Sequence, residues 1–390
     1  RALEDSGNQL LFLRPRRFGK SLLLSMLENY YDVAKADEFD KLFGHLAIGA
    51  NPTPKHNQYF VMKWDFSAVS PQGEVSEIRH ALHRYLNRRI QDFAEYYQPL
   101  LHSHIPIEPH DATISVYALL AAVRQTPYKL YLLIDEYDNF ANEVLMSGHS
   151  ASPTRYQTLL TGEGSLKALF KVVKSASSGG GLERVFITGV SPLVLSDLTS
   201  GYNVSKHISL EPEVNDLCGF TEAELQTVLN QIANDCQFAP PTVAEALAIM
   251  RTFYNGYCFS TQTPKLVYNP TLAIYFLEHF QKRCQAPEEL LDSNLEMDKN
   301  KLTYIATRQH GGTLIRTALL ADPPVTVDSL SKRFDLSELL KADQDPQVLA
   351  ALLYYLGVLT LQGRHGLGKL ALRIPNLVVR QLYVARLQAL

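Results

Sequence analysis

Short apolar segments alternate with longer amphipathic segments over the first half of the chain. Five segments predict strands, at residues 10–13, 59–66, 130–134, 185–188 and 206–210. Three of these are almost continuously apolar, which is typical of parallel strands that are covered on both faces. Helical periodicity lies between them, most clearly at 77–93 and 165–174. This alternation predicts an α/β fold around a doubly wound parallel sheet.

After residue 210 the sequence predicts helices whose starts are marked by capping residues. Capping boxes are predicted at 221–224 and 242–245. In a capping box, a Thr N-cap and a Glu three residues later accept hydrogen bonds from backbone amides at the start of the helix. The pair at 269–270 is an Asn N-cap followed by a proline in the first helical position. Because no convincing strand pattern occurs among them, residues 213–290 are predicted to form a helical lid domain.

From about residue 325 the pattern changes again. It has the order helix, strand, glycine-rich hairpin, strand, helix, which is the element order of a winged-helix unit. The predicted domains are therefore an α/β core at 1–212, the helical lid at 213–290, and a helical and winged-helix-like domain at 291–390.

The composition of the 390 residues is that of an ordinary globular protein, with 46% hydrophobic and 20% charged residues. The net charge of −3 excludes a global basic field of the kind that attracts nucleic acid, although a local basic patch stays open. No apolar run approaches the roughly 20 residues that a membrane-spanning helix needs. We therefore predict no membrane partner.

The cysteines suggest a cellular compartment. Cys218, Cys236, Cys258 and Cys284 are scattered without a CxxC pair, and we interpret them as reduced, buried thiols of a cytoplasmic protein. The histidines show neither HxxxH nor HExxH spacing, so protein-bound zinc is not predicted. The sequence begins with Arg1 and has no signal peptide, which indicates a fragment or a processed product.

The sequence LLFLRPRRFGKSLLLSML at 10–27 has the order strand, tight loop, helix, as in a phosphate-binding loop. Gly19, Lys20 and Ser21 supply a turn, a cation for the β- and γ-phosphates, and a hydroxyl for Mg²⁺. Arg14 replaces the usual first glycine, so the turn must be made differently. A chance GKS sequence is the alternative interpretation. The residues predicted to hold the nucleotide are Arg16, Arg17, Phe18, Gly19, Lys20, Ser21 and Leu22.

A pair of acids follows the strand predicted at 130–134. Asp135 and Glu136 end its apolar run, which places carboxylates at the C-terminal edge of a parallel sheet, where ligands bind in open α/β folds. We predict that Asp135 holds Mg²⁺ and that Glu136 is the general base for an attacking water. Two acids that merely end a strand are the alternative, which the presence of Lys20 and Ser21 after another strand disfavours.

A third strand pattern, ERVFITGVS at 183–191, ends in hydroxyl side chains. Thr188 is predicted to act beside the γ-phosphate as a sensor of nucleotide state, and Ser191 is a second candidate. Because a threonine at a strand end is common, this prediction depends on the two motifs before it. Asp138 is the second candidate for the general base.

Six segments together carry a family resemblance: RPRRFGKSLLLSML, LIDEYDNF, VFITGVSPLVLSDL, CGFTEAEL, FYNGYCF and VYNPTLAIYFL. Over most of residues 1–285 the chain resembles the AAA-ATPase-like family of bacterial proteins, whose phosphate loop characteristically reads RPRRFGKS. The resemblance implies that Arg14 is a family variant of a working loop, and that the fold is similar to P-loop ATPases of the additional-strand type. Many members carry a PD-(D/E)XK nuclease-like domain after the ATPase region. No recognisable version occurs in this sequence, so nuclease activity is not predicted.

The predicted function is that of a Mg²⁺-dependent ATPase that acts as an ATP-driven conformational switch. The predicted fold is a P-loop NTPase parallel-sheet core, followed by the helical lid and the winged-helix-like unit. The alternative function is a nucleotide-occupancy regulatory module with little turnover, whose winged-helix-like unit binds DNA or a protein.

Several alternatives stay open at this point. The hairpin sequence QGRHGLGK supplies Arg364, His365 and Lys369 for contact with nucleic acid, but the unit could equally serve packing alone. The sequence FYNGYCF predicts a capped helix end, and whether Tyr254 or Asn255 touches nucleotide is undecided. The physiological substrate, the oligomeric state and any trans-acting arginine are also undecided.

Overall fold

The computed structural model describes residues 1–139, 143, 158–159, 164–192, 204–237, 240–262, 265–290, 310–320, 324–330, 345–366 and 368–388. The chain divides into two compact units. The first comprises Arg1–Phe12 and the described residues from Lys20 to Ile208. The second comprises Leu13–Gly19 and the described residues from Ser209 onward. The predicted further division at 290/291 stays a prediction, because residues 291–309 lie outside the described part.

A five-stranded sheet is the centre of the first unit. Its strands are β1 (Gln9–Leu13), β2 (Tyr59–Asp65), β3 (Lys129–Asp135), β4 (Leu182–Gly189) and β5 (Lys206–His207), in the order β2-β3-β4-β1-β5. The pairs β2–β3, β3–β4 and β1–β5 are parallel. The predicted α/β class with a parallel sheet is confirmed, and β4 is the strand that lies between β1 and β3.

The helices of the first unit are stabilised by capping residues and by the burial of apolar faces. They are α1 (Ala2–Asp5), α2 (Lys20–Tyr31), α3 (Phe39–Phe43), α4 (Ala47–Ala50), α5 (Val75–Tyr96), α6 (Ala112–Val123) and α7 (Ser165–Ala176), with 3-10 turns at Val33–Glu38 and Phe66–Ala68. Helix α5 begins with a capping box between Glu74 and Glu77. Helix α6 is apolar on most of its circumference. Its sequence therefore lacks the helical periodicity of apolar and polar residues that predicts α5.

The second unit combines helices with a small antiparallel sheet. Its helices are α8 (Glu222–Asp235), α9 (Pro240–Tyr254), α10 (Pro270–Arg283), α11 (Gly311–Leu320), α12 (Pro346–Tyr355) and α13 (Leu377–Gln388), with a 3-10 turn at Pro212–Val214. Its strands are β6 (Val325–Val327), β7 (Thr360–His365) and β8 (Lys369–Arg373), in the order β6-β8-β7. The predicted order of helix, two strands and helix is therefore present at α12, β7, β8 and α13. In the described part of the chain, no helix has the length and apolarity to cross a membrane.

The predicted helix ends of the second unit are correct in two cases of three. Thr221 and Glu224 form the capping box of α8, and Asn269 caps α10 through the amide of Leu272. The predicted N-cap at 242 is wrong, because α9 already begins at Pro240. Proline is tolerated in the first turn of a helix, where its missing N–H has no partner to lose.

Two of the four cysteines form a disulfide. Cys236 and Cys284 are joined, so the prediction of reduced thiols is wrong for this pair. Cys218 and Cys258 are not disulfide-bonded and are buried, as predicted. The bonded cysteines are 48 residues apart in sequence and stand at the C-terminal ends of α8 and α10, which pack together. Only the fold brings them within reach, so spacing along the chain could not reveal the bond.

Candidate functional site

The first site residues stand at the start of α2. Gly19 has a φ of +79°, which lets the chain turn from the loop into the helix at Lys20. The Lys20 side chain is 3% exposed, and its Nζ lies 3.3 Å from Oε1 of Glu136. Ser21 is exposed in the first turn. A helix N-terminus with a lysine and a serine in its first turn is suited to binding an anion.

The two predicted acids stand at the C-terminal end of β3. Asp135 is buried, and its Oδ1 accepts hydrogen bonds from Thr188 Oγ1 at 2.7 Å and from the Glu136 amide at 3.0 Å. Glu136 has a φ of +48°, in the left-handed region that non-glycine residues rarely adopt. From this position its carboxylate pairs with Lys20. Strain of this kind is concentrated at functional sites.

The carboxylate of Asp135 is the group of this site that could hold a divalent cation. Both hydrogen bonds to Asp135 end on Oδ1, and no described residue donates to its Oδ2. Oxygen ligands of this kind suit Mg²⁺. Among the described residues, no three His, Cys, Asp or Glu side chains are grouped so that they could hold a metal.

The two predicted sensor hydroxyls have different partners. Thr188 is fully buried on β4 and donates to Asp135, so it contacts the predicted metal ligand directly. Ser191 instead donates to Asp138 Oδ2 through its amide at 2.8 Å and its hydroxyl at 2.9 Å. The Val190 amide donates to Asp138 Oδ1 at 3.0 Å. Asp138 therefore fixes the end of β4, and its engaged oxygens make it a poorer candidate for a base than Glu136.

Tyr137 and Gly189 are site residues that the sequence analysis did not identify. The Tyr137 amide donates to the Thr188 carbonyl at 3.1 Å, and its hydroxyl donates to the Ser191 carbonyl at 2.5 Å. A Cβ at Gly189 would overlap both the Tyr137 ring and Asp138 Oδ1. The glycine in the ITGVS sequence was the available signal. A glycine is required at 189 because the ends of β3 and β4 approach each other too closely there for a side chain.

The loop Leu13–Gly19 lies in the second unit, and Arg14 stands near its start. Arg14 is 1% exposed, and its guanidinium donates to carbonyl oxygens of Leu13, Ser209, Val214 and Asn215. The guanidinium carbon lies 4.1 Å from the centre of the Phe259 ring. Burial lowers the pKa of Arg14 to about 10, which leaves it charged at neutral pH.

The other predicted loop residues fall into two groups. Phe18 is buried, with its ring edge-on to Tyr257 and Phe259 at centroid distances of 4.8 and 5.3 Å, so only its backbone is left for a phosphate. Arg16 and Arg17 are exposed, and Arg17 has a φ of +64°. The Leu22 side chain, on α2 in the first unit, is 65% exposed.

Tyr254 and Asn255, whose roles the sequence left undecided, are both engaged within the second unit. The Tyr254 hydroxyl donates to the Leu290 carbonyl at 3.1 Å. The Asn255 side chain accepts from the Gly256 amide, and its carbonyl accepts from the Asn376 side chain at 2.9 Å. These contacts account for the two residues as structural members of the second unit.

Two comparisons give similar proteins of known sequence or structure. A curated protein of Azotobacter chroococcum mcd 1, described as an uncharacterized protein in the vnfD 5' region, is 26% identical over 285 residues. The match covers 72% of this chain and 46% of that protein, so the chain spans about half the length of this relative. The solved structure of the Aeropyrum pernix ORC1 protein in complex with DNA shares 12% identity with a TM-score of 0.31, over 98% of this chain and 88% of that chain. That score is too low to carry its fold or its DNA to this chain.

A family model gives a clearer result. The model described as Predicted AAA-ATPase matches residues 1–199, which is more than half of the chain. This range includes the loop and all of the residues grouped around Asp135. The resemblance found in the sequence motifs is thereby confirmed, and the chain belongs to the AAA-ATPase-like family.

Proposed function

We propose that the chain binds ATP with Mg²⁺, hydrolyses the γ-phosphate, and uses ATP occupancy as a conformational switch. Family membership supports an ATPase of the P-loop type. The observation that carries the proposal is the Lys20–Glu136 pair, at 3.3 Å, beside the hydrogen-bonded Asp135. A phosphate-binding cation, a general base and a metal ligand then lie within one group of contacts at the end of a parallel sheet.

Each residue has a defined role in the proposal. The amides from Arg16 to Leu22 and the Lys20 ammonium bind the phosphates. Ser21 and Asp135 hold Mg²⁺, which when bound neutralises charge on the phosphate oxygens. Glu136 accepts a proton from the attacking water. Thr188 donates to Asp135 and keeps that carboxylate oriented.

The Lys20–Glu136 contact also suggests how the site is activated. A buried lysine requires a partner of opposite charge, and without nucleotide that partner is Glu136. A triphosphate offers Lys20 a stronger anion, so we propose that it displaces the Glu136 carboxylate and frees it for water. The base would then become available only when a substrate is bound.

The same contact favours the second candidate function, a nucleotide-occupancy module with little turnover. If Lys20 keeps Glu136 when ATP is bound, the base stays blocked and binding alone is the signal. A nucleic-acid partner is less well supported by the hairpin of β7 and β8. Arg364 donates to the Gly368 carbonyl at 2.9 Å, and Lys369 lies 3.1 Å from Asp328, so both cations already have partners within the chain.

Calorimetry with ATP and Mg²⁺ tests the proposal. Lys20→Ala should weaken ATP binding by about 2–4 kcal/mol, because it removes the cation that contacts the phosphates. Lys35→Ala is the matched control, since Lys35 also pairs with a glutamate, Glu38 at 2.8 Å, but on the exposed surface of the same unit. Equal affinities for the wild type and Lys20→Ala would rule out this site.

A further inference from the structure

The arginine that replaces the usual first glycine of the loop is a fully buried cation. Nη1 of Arg14 donates to the carbonyls of Leu13 and Ser209, each at 2.9 Å. Nη2 donates to the carbonyls of Val214 at 2.6 Å and Asn215 at 3.4 Å. One planar group thus joins the start of the loop to a segment about two hundred residues later in the sequence.

A ring completes the enclosure of this guanidinium. Phe259 lies against its face at 4.1 Å, and the same ring contacts Phe18 near the other end of the loop. Between these two anchors, the hydroxyl of Thr271 donates to the Arg17 carbonyl at 2.9 Å. The loop is therefore held at its beginning, middle and end by residues of 209–271.

The backbone of the loop explains why such anchoring is needed. An ordinary phosphate loop turns at its first glycine, whereas this one has Arg14 and Pro15 there. Arg17 takes the left-handed conformation instead, at φ +64°. A non-glycine residue in that region persists only when surrounding contacts hold it.

We propose that Arg14 is the positioning residue of the phosphate loop, which holds the amides of residues 16–19 in the conformation that binds phosphate. This inference rests on the proposed function, since it assigns the loop to a nucleotide. Arg14 itself does not touch the ligand, because it is 1% exposed and both of its Nη groups donate to backbone carbonyls. It acts through the shape of the loop.

The test compares two buried arginines. Arg184 is the matched control: it is equally buried, donates to the carbonyls of Leu3 and Gly7, and lies 5.6 Å from the Tyr131 ring, but it stands near the start of β4. Lysine at either position keeps the charge and loses the planar fork of donors. Both Arg14→Lys and Arg184→Lys should therefore lower the thermal stability of the protein.

Only Arg14→Lys should change the loop. We expect ATP affinity, measured at a temperature where both variants are folded, to fall about tenfold or more in Arg14→Lys, as the loss of one or two hydrogen bonds implies. Affinity should stay within about twofold in Arg184→Lys. If Arg14→Lys binds ATP like Arg184→Lys, then Arg14 serves packing alone and the proposal is overturned.

Hydrogen exchange without nucleotide separates this proposal from the proposed function. The amides of 16–19 should exchange faster in Arg14→Lys than in Arg184→Lys, whether or not the wild type binds ATP. A wild type that does not bind ATP would overturn the proposed function, and equal exchange in the two variants would overturn the positioning role. If Arg14→Lys does not fold, Phe259→Leu provides the same measurement, because it removes the ring that packs on the guanidinium and leaves the guanidinium itself. Unchanged exchange at 16–19 in Phe259→Leu would count against the proposal.

Discussion

Lys20 and Glu136 form an ion pair in which Nζ and Oε1 are 3.3 Å apart, and both residues belong to the first unit. The lysine side chain is almost fully buried, whereas the glutamate side chain is 21% exposed. Water and a ligand can therefore reach the glutamate more easily than the lysine. In the proposed function the two groups separate when nucleotide binds, which makes the pair a direct point at which to test it.

Glu136→Gln should slow ATP hydrolysis by roughly 10²–10⁴ while retaining ATP binding, because the amide keeps the shape of the side chain and cannot accept the proton. Affinity for ATP should be equal to or higher than that of the wild type, since Lys20 no longer has a charged competitor. Phosphate release and calorimetry measure the two effects.

A matched control is Glu183→Gln, because Glu183 accepts a hydrogen bond from Tyr59 at 2.7 Å and lies near the start of β4 rather than its end. This variant should hydrolyse ATP at the normal rate. A normal rate in Glu136→Gln itself would show that Glu136 is not the base, and Asp138 would be the next residue to test.

Gly189→Ala should destabilise the fold by about 1–3 kcal/mol, as overpacking usually does, because the new methyl group overlaps Asp138 and the ring of Tyr137. Displacement of Tyr137 should also disturb Thr188, whose carbonyl it binds, so hydrolysis should fall as well. Urea unfolding and phosphate release measure the two losses.

Gly179→Ala offers a contrasting methyl group. No described residue lies within 4 Å of a Cβ at Gly179. Because its φ is +101°, the expected loss is backbone strain of about 1 kcal/mol, with hydrolysis unchanged. If both glycine variants had the same stability and the same activity, the close approach of β3 and β4 would not matter to the site.

Removal of the disulfide should lower the stability of the second unit. For a sequence separation of 48 residues, the chain-entropy argument gives an upper value of about 4 kcal/mol for the joint variant of Cys236→Ser and Cys284→Ser. A reducing agent should shift urea unfolding of the wild type towards that of the variant and leave the variant unchanged. Insensitivity of the wild type to the reducing agent would mean that the bond does not form.

Hydrogen exchange with a slowly hydrolysed ATP analogue tests the lid prediction for 213–290. Protection should appear at 14–22 and also at 221–229, the start of α8. The first turn of α10 should be protected too, because Thr271 donates to the Arg17 carbonyl. Thr271→Val should reduce the response of α10 and leave that of 14–22. Protection of the loop alone would identify the helical segment as a fixed spacer or a surface for a partner.

Much of the first unit can be predicted from the sequence, for physical reasons. Strands that are buried on both faces leave uninterrupted apolar runs, so β1 to β4 are found within a few residues of their predicted bounds. The positions of Lys20, Asp135 and Glu136 follow, because each stands directly at the end of such a run or of the loop after it.

The remaining features depend on contacts that spacing does not encode. Nothing near Arg14 in the sequence indicates that its partners are the carbonyls of Ser209, Val214 and Asn215. Phe18 was predicted as a nucleotide-binding residue by its place in the loop, but its side chain is taken up by aromatic rings of the second unit. Sequence motifs therefore identify the chemical groups at this site better than they identify what holds them.

Under the proposed function, the left-handed backbone at Glu136 opposes the stability of the fold to its activity at a single position. Glycine or asparagine would adopt its φ of +48° more readily, and relief of the strain is worth about 1 kcal/mol. Neither could serve as a base. A library selected for thermal stability alone should therefore enrich glycine and asparagine at 136, whereas one selected for ATP turnover should retain the glutamate. Opposite outcomes of the two selections would mark this residue as one that natural selection keeps for its chemistry at the expense of the fold.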